Sequence, residues 1–197
     1  MNDRIFSLND KKKRGRLLTF LYEWLEALVV AFIVISLILT FLFRIVGVEG
    51  ESMQDTLNDG DRLIISNLFH RPQQGDIIVI SGDRRNRDNL DPGGAFQPLI
   101  KRIVATENQT VDIKGGYVYI DGNRMQEDYV TSDTHQVSER GLSFPVEIPP
   151  GYVFVLGDNR TGSHDSRSID IGLVNQHYIL GRVILRVFPL GEIGGVN

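Results

Sequence analysis

The chain has no cysteine among its 197 residues, which excludes a disulfide framework and any thiolate metal site. Lysine is scarce after residue 46, where only Lys101 and Lys114 occur. Histidine is limited to four positions, and His70, His135 and His177 have no companions at metal-ligand spacing. An excess of positive charge is also missing from the main body. Residues 47–197 hold fourteen Lys/Arg against twenty-one Asp/Glu, whereas residues 1–46 hold seven against four. A weakly acidic body argues against nucleic-acid binding, which needs clustered positive charge. No metal and no organic cofactor is implied. No internal repeat and no second long helix can be read from the chain.

One long apolar run is present. Ala27 to Phe43 is uncharged over 17 residues, at the short end of the roughly 17–25 that cross ~30 Å of hydrocarbon. Leu25 and Ile45-Val46 extend it, Tyr22 and Trp24 offer interfacial anchors, and Ser36 and Thr40 can bond back within a helix. Lys11-Lys12-Lys13-Arg14 and Arg16 precede the run, while only Arg44 follows closely, with Glu49, Glu51 and Asp55 beyond it. The positive-inside rule then places the N-terminus in the cytoplasm and everything past about residue 46 outside. A cleavable leader is the rival reading, but its apolar core is usually only about 7–15 residues long and ends at a small-x-small site. This run is longer and ends in Phe41-Leu42-Phe43-Arg44. The expected organisation is a basic segment 1–24, a transmembrane anchor 25–46 and an extracytoplasmic domain 47–197.

Past the anchor the pattern becomes β. Arg62–Asn67, Asp76–Ser81, Leu99–Ala105, Thr110–Ile113, Tyr117–Ile120, Tyr152–Leu156 and Ile179–Phe188 are short, rich in β-branched and aromatic residues, and bounded by turn signals. Lys114-Gly115-Gly116 and Asp121-Gly122 predict tight hairpins. Arg84–Pro98 and Ser132–Gly141 read as polar loops. The expected fold is mostly β and antiparallel, preceded by one transmembrane helix, with residues 106–150 forming a possible small subdomain.

A serine hydroxyl needs a base to become a nucleophile, and histidine or neutral lysine are the usual choices. Ser52 lies a few residues past the anchor. Lys101 sits in Leu99-Ile100-Lys101-Arg102-Ile103-Val104-Ala105, where alternation puts Lys101 with Leu99, Ile103 and Ala105, and Arg102 with Ile100 and Val104. Each face is apolar apart from one cation, so at least one cation is expected to lose water. Arginine keeps its proton in a protein, whereas a buried lysine sheds it readily. Lys114 adjoins a Gly-Gly turn and reads as exposed. His164, beside Asp165 and between Ser163 and Ser166, is the rival base, although neighbours in sequence point apart on a strand. The polar segment Gly157–Arg167 reads either as a surface loop or as a hydrogen-bonded shelf supporting the base.

Four blocks taken together resemble a known family: Gly50-Glu51-Ser52-Met53-Gln54-Asp55-Thr56-Leu57, Gly75-Asp76-Ile77-Ile78-Val79, Ile100-Lys101-Arg102-Ile103-Val104, and Gly157 to Arg167. In that order they are similar to the bacterial type I signal peptidases, the Ser/Lys leader-peptide-cleaving family, in its compact Gram-positive form. The closing Arg186-Val187-Phe188-Pro189-Leu190 is similar as well. The resemblance implies Ser52 as nucleophile and Lys101 as general base. It implies that Ser163 hydrogen-bonds and orients the lysine amine, and that Asp158, Asp165 and Arg167 tie the shelf together. It also implies a β-rich catalytic core with a smaller β cap.

Three positions depart from the family pattern. Asp55 stands where proline is usual, Ala105-Thr106-Glu107-Asn108-Gln109 replaces a Gly-x-Pro-Gly-Asp tail, and Gly50 stands where some members carry an oxyanion-hole serine. The Ser52 amide is then the one oxyanion donor the sequence names, and an unseen second donor is expected. Implied partners are the signal peptides of exported preproteins and the lipid bilayer of the cell membrane; the sequence leaves the oligomeric state open, with a monomer as the working assumption. Small substrate residues at −1 and −3 would enter shallow apolar pockets, with Met53 the first lining residue expected. Two other readings compete. One is a self-cleaving repressor-type protein, which the anchor disfavours. The other is a non-catalytic anchored β domain acting as a binding module.

Overall fold

The computed structural model describes residues 20–37, 40, 42–66, 68, 71–81, 98–137 and 141–196. The basic cluster at 11–16, nearly all of the Arg84–Pro98 loop and the 138–140 part of the second polar loop lie outside the described residues. The described residues comprise one α-helix, α1 (Phe20–Leu37), two single-turn 3-10 helices, Gln176–Tyr178 and Leu190–Glu192, and eleven strands. These are β1 (Phe43–Gly47), β2 (Arg62–Ser66), β3 (Ile77–Ile80), β4 (Leu99–Ala105), β5 (Thr110–Lys114), β6 (Tyr117–Ile120), β7 (Asn123–Arg124), β8 (Val146–Glu147), β9 (Tyr152–Leu156), β10 (Val174–Asn175) and β11 (Ile179–Phe188). The fold is mostly β, as expected, and every strand pair is antiparallel.

The helix is long and apolar enough to cross a membrane, and it starts earlier than the uncharged run, taking in Glu23 and Glu26. At the other end the expectation needs correction. Phe43 to Val46, read as the end of the anchor, belong to β1, which pairs residue for residue with β2 from Phe43–Ser66 to Gly47–Arg62. Alternating Phe43-Arg44-Ile45-Val46 suits a strand as well as a helix, and the partner strand decides.

Seven strands form the larger sheet in the order β1-β2-β11-β3-β4-β9-β10, and four form a smaller one in the order β7-β6-β5-β8. The smaller sheet lies within the 106–150 region, in the same compact unit as the larger one. Both predicted hairpins form. Gly115 and Gly116, and likewise Asp121 and Gly122, have positive φ, the geometry that lets a two-residue turn follow the strand twist.

Alternation along β3 and β4 sorts the core. Ile77, Val79 and Ile100 pack with Met53, Leu57, Leu63, Ile65 and Val183. Ile78, Ile80 and Ile103 pack with Val153 and Val155 on the other side. The pairing of β4 with β9 slips between Ile103 and Ala105. This bulge sends Ala105 to the same cluster as Val104, together with Val111, Val118, Phe154 and Leu156. The simple alternation expected for Ala105 fails there because a bulge inserts one unpaired residue. The cap sheet thus docks on the ends of β4 and β9. Phe154 is fully buried at that seam, and truncating such a residue to alanine typically costs about 3–5 kcal/mol.

Candidate active site

Ser52 sits in a tight turn between β1 and β2 whose next residues are fastened into the core. Met53 is 1 % exposed and Leu57 is wholly buried, and the Leu57 amide donates to the Met53 carbonyl at 2.8 Å. Met53 thus presents almost no surface to solvent. Its thioether chain packs with Leu57, Leu63 and Ile65, because a large apolar residue in a turn is stabilised most by turning under it. Gly50, with φ of 84°, bends the chain in front of the serine, and its amide donates to Asp59 Oδ1 at 2.8 Å.

Lys101, in the middle of β4, is 3 % exposed. Its Nζ donates to Ser52 Oγ at 2.7 Å. Burial pulls the ammonium pKa down from 10.5 to about 8. The carboxylates of Asp165 and Asp158 oppose that fall, and the Arg167 cation assists it. Both carboxylates are committed elsewhere. Arg102, also 3 % exposed, holds Asp158 in a fork, Nε to Oδ1 at 2.9 Å and Nη2 to Oδ2 at 2.7 Å. Arg167 holds Asp165 in the same way, at 2.8 and 2.9 Å. Each pair is also tied to the backbone. Arg102 donates to the Gly75 carbonyl, Arg167 to the carbonyl of Arg160, and Asp165 accepts from the Gly157 amide.

The segment Gly157–Arg167 is thus a bonded shelf, buried at both ends and exposed at Thr161, Gly162 and His164. Two links stitch it to the serine turn: the Asn159 amide donates to the Ser52 carbonyl at 3.2 Å, and Asn159 Nδ2 to the Glu51 carbonyl at 3.1 Å. Thr56 Oγ1 donates to Asp158 Oδ2 at 2.6 Å. Gly157 must be glycine here, since a Cβ would overlap both the Ser52 carbonyl oxygen and the Ser163 hydroxyl.

Ser163 makes no bond to the lysine amine in this structure. Its Oγ is buried and makes no hydrogen bond among the described residues, and the lysine amine bonds Ser52 instead. The hydroxyl lies against Gly157, where the turn of the shelf directs it. The histidine alternative does not assemble either. The His164 side chain is 52 % exposed and faces Asp170 at 4.0 Å, while Asp165 belongs to Arg167 and Ser166 Oγ accepts from the Val155 amide. Among the described residues, no group of three or more His, Cys, Asp and Glu could hold a metal ion.

Several contributors were not singled out by sequence reasoning. Thr56 reaches Asp158. Arg160, buried in the shelf, donates to Thr134 Oγ1 and forks onto Glu127. Arg102 also lies over the Tyr129 ring, 4.0 Å from its centroid. The signal available was Arg102 itself, a guanidinium in an apolar strand that demands partners.

Residues 21–188 match the family model described as signal peptidase, peptidase S26. A signal peptidase I of Bacillus licheniformis is 33 % identical over 88 % of this chain and 91 % of its own length. A probable signal peptidase I-1 of Synechocystis is 36 % identical over 89 % of this chain and 86 % of its own. A solved signal peptidase I from Enterococcus faecalis V583 is 29 % identical, covering 57 % of this chain and 97 % of its own at a TM-score of 0.43. On the strength of the family model and the two long sequence matches, the chain belongs to the signal peptidase family, peptidase S26.

Proposed function

We propose that this protein removes N-terminal signal peptides from exported preproteins at the membrane surface, through an acyl-enzyme formed on Ser52 with Lys101 as base. The observation that carries the reading is the 2.7 Å contact between Lys101 Nζ and Ser52 Oγ inside a water-poor site. With a pKa of about 8, roughly one lysine in ten is neutral at pH 7. In the neutral form the hydrogen bond reverses and Ser52 donates. As Oγ attacks the scissile carbonyl, Nζ takes its proton. The ammonium then protonates the departing amine, which becomes the mature N-terminus. Neutral again, Lys101 takes a proton from the water that hydrolyses the ester and frees the signal peptide.

Asp158, Asp165 and Arg167 act as structural support, holding the shelf against the serine turn. The Ser163 hydroxyl, one rotation from new partners, is the group that would orient the amine once substrate enters. The anchor, 25–42 in this reading, is single-pass with its N-terminus cytoplasmic. From Leu42 to Ser52 the chain can span at most about 33 Å, so the serine is leashed within reach of the outer boundary. Exposed Ile45 on β1 and Leu190 after β11 support a membrane-facing surface. Residues 106–150 serve as a cap, and the working form is a monomer.

The test is cleavage of a labelled preprotein in detergent by wild type, Ser52→Ala and Lys101→Ala, with folding of each checked by circular dichroism. Wild type should cut after a small-x-small site, and both variants should lose at least about 10³-fold in rate. Retained activity in Lys101→Ala would remove lysine from the mechanism.

A further inference from the structure

The strap Met125–Thr134 leaves the cap sheet after β7 and runs over the shelf. It is pinned to the cap at both ends: the Met125 amide donates to the Val118 carbonyl, and the Thr134 amide to the Gly116 carbonyl, each at 2.9 Å. Between those pins it meets two of the guanidinium groups behind the serine turn, those of Arg102 and Arg160. Tyr129 lays its ring on Arg102. The Tyr129 hydroxyl donates to Glu127 Oε1 at 3.1 Å, and the Glu127 carboxylate, with a side chain only 9 % exposed, forks onto the fully buried Arg160. Arg160 in turn donates to the Gly157 carbonyl at 3.1 Å, one residue before Asp158. Burial and the neighbouring Glu127 raise the Tyr129 pKa, so its hydroxyl stays a donor.

We propose that Tyr129 and Glu127 are positioning residues for the Ser52–Lys101 pair, which the strap holds in register through Arg102, Asp158 and Thr56. The inference rests on the serine–lysine reading above. The route is short. The Tyr129 ring leaves Arg102 one direction in which to lie flat. Arg102 then fixes both oxygens of Asp158, and Asp158 Oδ2 accepts from Thr56, four residues past Ser52. A flat cation between a ring and a carboxylate loses rotational freedom on both sides. A displacement of about 1 Å in a reacting group can cost ~10²-fold in rate.

The experiment uses the intact chain in detergent micelles with a labelled preprotein, measuring kcat, KM and thermal midpoint. Tyr129→Leu removes the ring and should lower kcat about tenfold with KM within twofold. Tyr129→Phe keeps the ring on Arg102 and should restore kcat to within about threefold. Thr56→Val should also lower kcat, and the double variant Thr56→Val/Tyr129→Leu should lose no more than the worse single change, because both act on Asp158. Additive losses, an unchanged kcat in Tyr129→Leu, or a rise in KM alone would overturn the proposal. If Tyr129→Leu fails to fold, Glu127→Gln replaces it; it keeps the shape of the carboxylate and should lower kcat with KM unchanged, and full kcat there overturns the proposal. Ser52→Ala and Lys101→Ala run alongside. If they are inert while the strap variants are normal, only the strap inference falls. If they remain active, the serine–lysine reading falls first.

Discussion

The two faces of β4 carry adjacent cations in almost identical burial and opposite electrical circumstances. On one face Arg102 is well partnered, with a bidentate carboxylate, a carbonyl and an aromatic ring. On the other Lys101 is left with a serine hydroxyl. The cation that cannot lose its proton receives the counter-ion. The cation that can lose it receives a hydroxyl, and the strand thereby keeps a titratable amine beside an ion pair that it does not join. Burial lowers the Lys101 pKa, and both carboxylates that oppose the fall are bonded to arginines instead of to the amine.

The sharpest way to break this contrast is to make the two faces alike. Lys101→Arg keeps the charge but installs a group that stays protonated, and cleavage of preprotein should fall by at least about 10³-fold while binding of an uncleavable peptide persists. Next in size is Asp158→Ala, which strands Arg102 without its carboxylate. Breaking a buried pair from one side typically costs about 3–5 kcal/mol, readable as a lowered denaturation midpoint in urea.

Lys101→Met should act in the opposite direction. Below about pH 8 lysine is protonated both folded and unfolded, and the folded state bears the whole cost of burying the charge. A fall in pKa from 10.5 to about 8 corresponds to roughly 3 kcal/mol. The inactive methionine variant should therefore be more stable than wild type at pH 7 by up to that amount. Between about pH 8 and 10.5 the unfolded chain binds more protons than the folded one, so wild-type stability rises with pH and the difference should close. The pH dependence of kcat/KM for the wild type should climb about tenfold per unit below pH 8 and then level off. The smallest effect is reserved for His164→Ala, which should change kcat/KM by less than about twofold, since that ring is exposed and faces Asp170.

Much of the β framework was legible from residue types. Leu99–Ala105, Tyr117–Ile120, Tyr152–Leu156 and Ile179–Phe188 coincide with β4, β6, β9 and β11, because β-branched runs bounded by Gly, Pro and Asn leave little choice of conformation. The end of α1 was not legible, since uncharged residues continue past it as far as Phe43 and only pairing with β2 marks β1 off. Strands of two residues, such as β7, β8 and β10, exist because a neighbour supplies their bonds. The suspicion attached to Lys101 needed only a cation in an apolar strand. The partner of Arg102 lies 56 residues away, a choice among twenty-five acidic residues that only the fold makes. The side-chain directions of Met53 and Ser163 were not legible for a common reason: where a turn side chain points depends on what packs beneath it, and no local pattern encodes that.

The anchoring of the serine turn by Met53 and Leu57 has a consequence for how the molecule comes apart. Many reactive loops belong to the weakly protected fraction of a protein and open far more often than its core. Here the segment bearing Ser52 shares its apolar footing with β2, β3, β4 and β11, so it has no private opening transition. The Leu57 amide is expected to exchange with solvent deuterium only as fast as the central strands do. Heat should then abolish activity and sheet structure at the same temperature, with no inactive yet folded species between them.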